Sequence, residues 1–217
     1  MKSMLVIGMG RFGRHLATKL IELGNDVMVI DKDEKIINDI AGSFTDAYAG
    51  DCTNEKIIAS LGINNFDVCF VTIGDNFQSS LEITSLLKEY GAKYIVSKAT
   101  IDMQAKFLKQ IGANEVVYPE RDMAERLAIR LNANNVFDYI EITGDYAMYE
   151  TPIVNDWIGR TILEINVRKN YKINIIAIKK GEAIVTSPAA EYVFEANDHI
   201  MFIATKADLK KLSKAMK

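Results

Sequence analysis

The six residues Gly8-Met9-Gly10-Arg11-Phe12-Gly13 constrain what this chain can fold into more than any other feature. They form a G-x-G-x-x-G run directly after a β-rich stretch at 4–8. A helical stretch at 11–23 follows, with Phe12, Leu16, Leu20 and Leu23 at helical spacing. In that setting the first glycine makes a tight turn, the second lets backbone approach a pyrophosphate, and the third lets helix pack closely on strand. The helix N-terminus then presents N–H donors and a positive dipole end to phosphate. A glycine-rich turn without a ligand is the plainer alternative.

The rhythm that follows supports a doubly wound α/β sheet. Strands are expected at 27–30, 46–49, 68–73, 94–97 and 115–118. Helices are expected at 34–40, 54–61 (capped by Thr53 or Asn54), 77–90 and 102–111, the last with Asp102 near its N-cap. The strands do not alternate apolar with polar, so they are expected to be buried on both faces of a parallel sheet in the order 3-2-1-4-5-6. After Pro119 the pattern changes. A helix at 121–131 belongs to no further βα unit and reads as a connector. Strand candidates then fall at 139–142, 147–153, 173–178, 183–185 and 199–204, with helical pieces at 161–167 and 208–216. Lys179-Lys180-Gly181-Glu182 is a hairpin turn signal. The expected organisation is a Rossmann-like domain at 1–134 and a small α+β lobe at 135–217.

Composition narrows the function. Over 217 residues, 49% are hydrophobic and 25% charged, enough for a real core. A net charge of −3 without a basic stripe argues against nucleic acid as a partner. Cys52 and Cys69 lack metal-site or disulfide spacing. The start of the chain runs straight into a strand pattern, and no apolar run approaches the ~20 residues of a membrane span. The expectation is a cytosolic protein that reaches a membrane through a partner.

Strand ends supply the candidate site. Asp31, 18 residues past Gly13, can accept both ribose hydroxyls of an adenosine and would repel a 2′-phosphate. Lys32 adjoins it. Arg11, inside the loop, can reach terminal phosphate oxygens, which suits ATP or ADP as well as NAD(H); a solvated arginine is the competing reading. Asp51 and Cys52 end the third strand, with Cys52 a small wall residue and not a nucleophile. Ile73-Gly74-Asp75 closes the fourth strand where strand order reverses, and Lys98 follows the fifth. Glu120, Asp122 and Glu125 read either as dipole partners of a first helical turn or, for Glu120, as a ligand to a phosphate-bound metal. His15 reads as a surface residue and His199 as a half-buried histidine at a strand edge. With no constellation for acid–base or nucleophilic chemistry, a sensor that catalyses nothing is favoured over a small NAD-dependent oxidoreductase.

Taken together, the chain resembles the RCK (TrkA-type) regulatory subunits of bacterial Ktr and Trk potassium uptake systems. The resemblance rests on GMGRFG at 8–13, VID at 29–31, GDCT at 50–53, TIGD at 72–75, SKA at 97–99 and YPERDMAERLA at 118–128. In the second lobe it rests on DWIGRTILEINVRKNYKINIIAIKKG at 156–181, SP at 187–188 and AND at 196–198. It implies homodimers assembled into an octameric gating ring at the inner face of the cell membrane, beneath a K⁺-translocating subunit of the KtrB/KtrD or TrkH type. ATP would favour conduction and ADP the inactive form. Arg11 would meet the γ-phosphate, Asp31 the ribose, and Glu120 a Mg²⁺ or Ca²⁺ ion at the phosphates. Asp51, Cys52 and Lys98 would line the pocket. It further implies a cyclic di-AMP site in the second lobe at Ile162, Arg168, Asn174, Ile175 and Pro188, whose apolar members read equally well as dimer core.

Overall fold

In the computed structural model, which describes residues 1–44, 46–132, 138–143 and 145–215, the first part of the chain alternates strand and helix. The elements are β1 (Ser3–Ile7), α1 (Arg11–Glu22), β2 (Asp26–Asp31), α2 (Glu34–Ile40), β3 (Asp46–Ala49) and α3 (Glu55–Ser60). Then come β4 (Val68–Val71), α4 (Phe77–Glu89), β5 (Ile95–Lys98), α5 (Asp102–Ile111) and β6 (Glu115–Val117). The six strands form one parallel sheet in the order β3-β2-β1-β4-β5-β6, as expected. Neighbouring residues of β1 join different cores. Leu5 and Ile7 pack with Ile30, Val71 and Ile83, whereas Met4 and Val6 pack with Val27, Val29 and Ile37. A strand clothed on both faces must be apolar throughout, which is why its sequence does not alternate.

Local chemistry starts the helices. Asp33, Asn54 and Asn76 accept N–H bonds from Lys35, Lys56 and Ser79 and so cap α2, α3 and α4. For α5 the N-cap position is Ile101, with Asp102 next to it as expected, and no side chain caps the helix. The Asp102 carboxylate instead accepts from the Tyr118 hydroxyl at 3.0 Å and Arg121 Nη1 at 2.8 Å. The next helix, α6 (Pro119–Asn132), begins two residues earlier than its apolar period suggests. Proline is preorganised for a first helical position, where its missing N–H costs nothing.

The chain divides into two compact units, Met1–Asp122 and Met123–Lys217. The expected boundary at 134/135 lies outside the described residues. In the second unit, β7 (Asp138–Thr143), β8 (Tyr146–Pro152), β9 (Asn174–Lys180), β10 (Ala183–Thr186) and β11 (Asp198–Thr205) form an antiparallel sheet ordered β10-β9-β11-β8-β7. Lys180 pairs with Ala183 around Gly181, whose φ of 61° suits the tight hairpin that the sequence signals. Burial alternates strictly along β11, the signature of one packed face.

The helix expected at 161–167 is broken. Thr161 and Glu164 close a reciprocal cap on α7 (Ile162–Ile165). Asn166 then turns left-handed at φ 51°, which asparagine tolerates, and α8 (Val167–Tyr171) starts in a new direction. Helix α9 (Lys206–Ala215) ends the described chain. His199 is half-buried near the start of β11, as expected, and its Nδ1 lies 3.0 Å from Glu150 Oε1.

The core of this unit gathers Tyr149, Trp157, Phe194 and Phe202, with the Tyr149 and Phe202 rings 5.8 Å apart. Replacing the fully buried Phe202 by alanine should cost about 3–5 kcal/mol through lost burial and a residual cavity. Urea unfolding followed by fluorescence of Trp157, the single tryptophan, measures this; the exposed Val185→Ala should stay within about 0.5 kcal/mol.

Candidate functional site

At the carboxyl ends of the first unit's strands lies a cleft of about 350 Å³. It sits where strand order reverses between β1 and β4, the place where open α/β sheets bind ligands. The loop after β1 forms its floor. Gly8 has φ +99°, a conformation that side chains resist, and a Cβ there would lie 2.9 Å from Ile73 Cγ1. Gly13 has less room still: a Cβ would overlap the Gly8 carbonyl oxygen and approach Thr72 Oγ1 to 2.7 Å. The third glycine of the motif is therefore a packing requirement of this chain. Helix α1 starts at Gly10 without a side-chain cap and without an acidic residue in its first turn. Its N-terminal donors are thus left for an anion.

Of the residues that the sequence singles out, Gly8, Gly10, Arg11, Phe12, Asp31, Lys32, Asp51, Cys52, Ile73, Gly74, Asp75, Lys98 and Glu120 all line this cleft. Gly13 lies just beneath it, against Gly8. Asp31 does more than end β2. Its Oδ2 accepts the Met9 N–H at 2.6 Å and its Oδ1 the Asp33 N–H at 2.9 Å, so the carboxylate also fixes the phosphate loop. Asp51 Oδ1 accepts the Thr53 N–H and hydroxyl at 3.0 and 2.8 Å. Those bonds, the backbone one first, hold its carboxyl below the ordinary range.

Lys98 and Glu120 were read from separate motifs, yet they meet. Lys98 Nζ donates to Glu120 Oε1 at 2.5 Å and lies 6.0 Å from the centre of the Phe12 ring. The Lys98 hydrogen bond is the main reason the Glu120 carboxyl titrates below its usual range; the Lys98 and Arg11 charges add to it. Glu120 and Asp122 both stand in the first turn of α6, as expected, and Asp122 Oδ1 lies 3.6 Å from Arg121 Nε. Among the described residues no three His, Cys, Asp or Glu side chains could share a metal ion. A hard divalent cation takes six or more oxygen ligands, so one at Glu120 would draw the rest from phosphate oxygens and water.

Thr72 is the member that sequence reasoning missed. Its buried hydroxyl lies 2.5 Å from the Gly8 carbonyl and 3.1 Å from that of Ile7. The TIGD run at 72–75 contains the signal, since threonine ending a strand beside the loop can bond it. Ile36, Gly50, Asn76 and Ser79 also line the cleft.

In the second unit, Arg168 Nε donates to Asn174 Oδ1 at 3.1 Å. Ile162 and Ile175 pack on the edge of the core. Pro188 follows Ser187, whose N–H bonds the Ile176 carbonyl at 2.9 Å and carries the segment along β9.

A TrkA-N domain matches residues 4–119 and a TrkA-C domain residues 148–217. The Ktr system potassium uptake protein C of Bacillus subtilis (strain 168) is 39% identical over 213 residues, 98% of this chain and 96% of that protein. The Ktr system potassium uptake protein A of the same strain is 35% identical over 210 residues, 97% and 95% of the two chains. Among solved structures, the GsuK channel superposes with a TM-score of 0.73 at 19% identity, covering 99% of this chain and 39% of that one, so this chain spans about two fifths of it. A TrkA-N domain of the inner membrane protein ybaL from Escherichia coli superposes at 0.55 and 24% identity, covering 60% of this chain and 96% of that one.

Two outcomes test this geometry. Burial pushes both thiols up to about 12, so neither Cys52 nor Cys69 should react with a disulfide reagent at about pH 8 in the folded protein, and both should in denaturant. Gly13→Ala should lower thermal stability by about 1–3 kcal/mol, because the Gly8 backbone must move to admit the methyl group.

Proposed function

This chain belongs to the TrkA-N/TrkA-C family as a Ktr-type RCK subunit of potassium transport, and from that premise we propose that it binds ATP or ADP in the strand-end cleft. In this reading it is a cytosolic regulatory subunit that controls a membrane-embedded K⁺-translocating partner of the KtrB/KtrD or TrkH type. The carrying observation is the convergence, in one cleft, of the phosphate loop, the Asp31 carboxylate and the Arg11/Lys98/Glu120 charges. Asp31 and the loop hold what all adenine nucleotides share, the ribose and the first phosphates. Arg11 and Glu120 respond to what differs, the charge of the terminal phosphate. NAD(H) shares the first set of contacts and is a further candidate ligand, although no acid–base residue is assigned to hydride transfer.

A Mg²⁺ or Ca²⁺ ion would be held by the phosphates with Glu120 and would neutralise their charge. ATP then stabilises one subunit arrangement over the one that ADP favours, and differential affinity for the two arrangements is all that gating requires. Homodimers of the chain assemble in an octameric ring, and the partner holds this subunit at the inner membrane face. Among the described residues no helix is long and apolar enough to cross a membrane. Cyclic di-AMP binds the second unit in this reading, at Ile162, Arg168, Asn174, Ile175 and Pro188; the Arg168–Asn174 hydrogen bond supports it by pairing two of the five.

Thermal unfolding with ATP, ADP, NADH and cyclic di-AMP, with and without Mg²⁺, tests the reading. Ligand at about 100 times Kd should add about 2.7 kcal/mol and raise Tm by several degrees. Arg11→Ala should weaken ATP about tenfold and ADP by less than about threefold, because the guanidinium acts on the terminal phosphate. A shift with NADH and none with ATP or ADP would favour the oxidoreductase alternative.

A further inference from the structure

We infer that Lys98 is a movable counter-cation: Glu120 holds it, and an incoming phosphate must compete with that carboxylate to obtain it. The inference deepens the nucleotide reading above and rests on it. It begins with an asymmetry of exposure. The Lys98 side chain is 12% exposed and that of Glu120 67% exposed. An ammonium withdrawn that far from water needs an anionic partner, whereas the glutamate would be well solvated without one. Near its tip the stem passes Gly74, where an added Cβ would lie 3.1 Å from Nζ and 3.2 Å from Cε, so the glycine leaves the ammonium its room. Phe12, inside the phosphate loop, lies on another side of the ammonium. Lys98 is thus packed between loop and strand end, with Glu120 as its ion-pair partner.

The other anchored carboxylates of the cleft are satisfied differently. Asp31 and Asp51 accept from backbone N–H groups and a threonine hydroxyl. These neutral donors form part of the scaffold and do not leave when a ligand arrives. The donor on Glu120 is a lysine, a point charge on a rotatable stem that can be handed to a phosphate oxygen. Once it leaves, Glu120 stands as an exposed carboxylate beside phosphates of the same sign. That repulsion opposes binding until a divalent cation bridges the two. One ion pair therefore supplies two properties: lower affinity for metal-free nucleotide, and coupling of nucleotide to metal.

Calorimetric titration of the full chain with ATP in a chelator, repeated with Mg²⁺, tests this on Lys98→Met, Glu120→Gln and the double variant. Lys98→Met keeps the stem and deletes the charge, and Glu120→Gln keeps a hydrogen-bond acceptor; thermal melts run alongside separate folding from binding, and Glu120→Gln should lose the more stability because it leaves the shielded ammonium without an anion. Without metal, Glu120→Gln should bind ATP about tenfold tighter than wild type and Lys98→Met about tenfold weaker. In the Lys98→Met background the gain from Glu120→Gln should be smaller than in the wild type, because relief of the Glu120–phosphate repulsion remains but there is no lysine to release. Mg²⁺ should tighten ATP in the wild type and do so markedly less in Glu120→Gln. Additive effects in the cycle would overturn the exchange, since simple charge removal acts equally in both backgrounds. An unchanged Mg²⁺ effect in Glu120→Gln would overturn the coupling. Wild-type protein that binds neither ATP nor ADP would instead sink the nucleotide reading, and the exchange with it.

Discussion

The Gly8 carbonyl oxygen is the point on which the first unit turns. On one side it lies so close to Gly13 that no side chain fits, and on the other it lies within reach of the Thr72 hydroxyl. The first contact sets how tightly α1 can approach the sheet. The second ties the loop to the end of β4, the strand across the point of order reversal. Asp31 completes the arrangement by holding the Met9 N–H from the β2 side. Three strand ends thus fix one six-residue loop. Arg11 and Phe12 have defined positions because the loop does, and Lys98 has its packing partner because Phe12 does.

Charge in the cleft is organised around that rigid floor. Carboxylates at β2 and β3 are bound to neutral donors and stay put, so they suit recognition of an invariant part of a ligand. The Lys98–Glu120 pair is salt-bridged and partly solvated, and Arg11 is exposed. Those are the groups that can rearrange when the number of phosphates changes. The second unit reverses the logic: Asp198 is fully buried and its Oδ2 accepts from the Tyr192 hydroxyl and the Glu195 N–H at 3.0 and 2.8 Å. The AND run at 196–198 therefore builds the entry to the central strand, and its aspartate is a structural group.

Most of the architecture was legible because its signals are local. Apolar runs without alternation, glycine ends and Asp or Asn caps specify a βα rhythm through hydrogen bonds between near neighbours in sequence. Where the reading slipped, a competing local option won. Asn166 could turn left-handed and did, splitting a helix whose apolar period runs on through Val167. The central place of β11 depends on pairing with both β8 and β9, which no local signal records.

The sequence by itself determined the phosphate loop, the acidic end of β2, the parallel strand order and the two-part organisation, since each follows from residue type at fixed spacing. Tertiary structure alone decided which side chains from distant segments share one cleft. Lys98 and Glu120 belong to different motifs, and nothing in either says that they are ion-paired. Thr72 reads as an ordinary strand residue until the fold lays it against Gly8. The physical reason is that backbone conformation is set by near neighbours, whereas ion pairs and buried hydroxyl bonds form between whatever the packed sheet brings within about 3 Å.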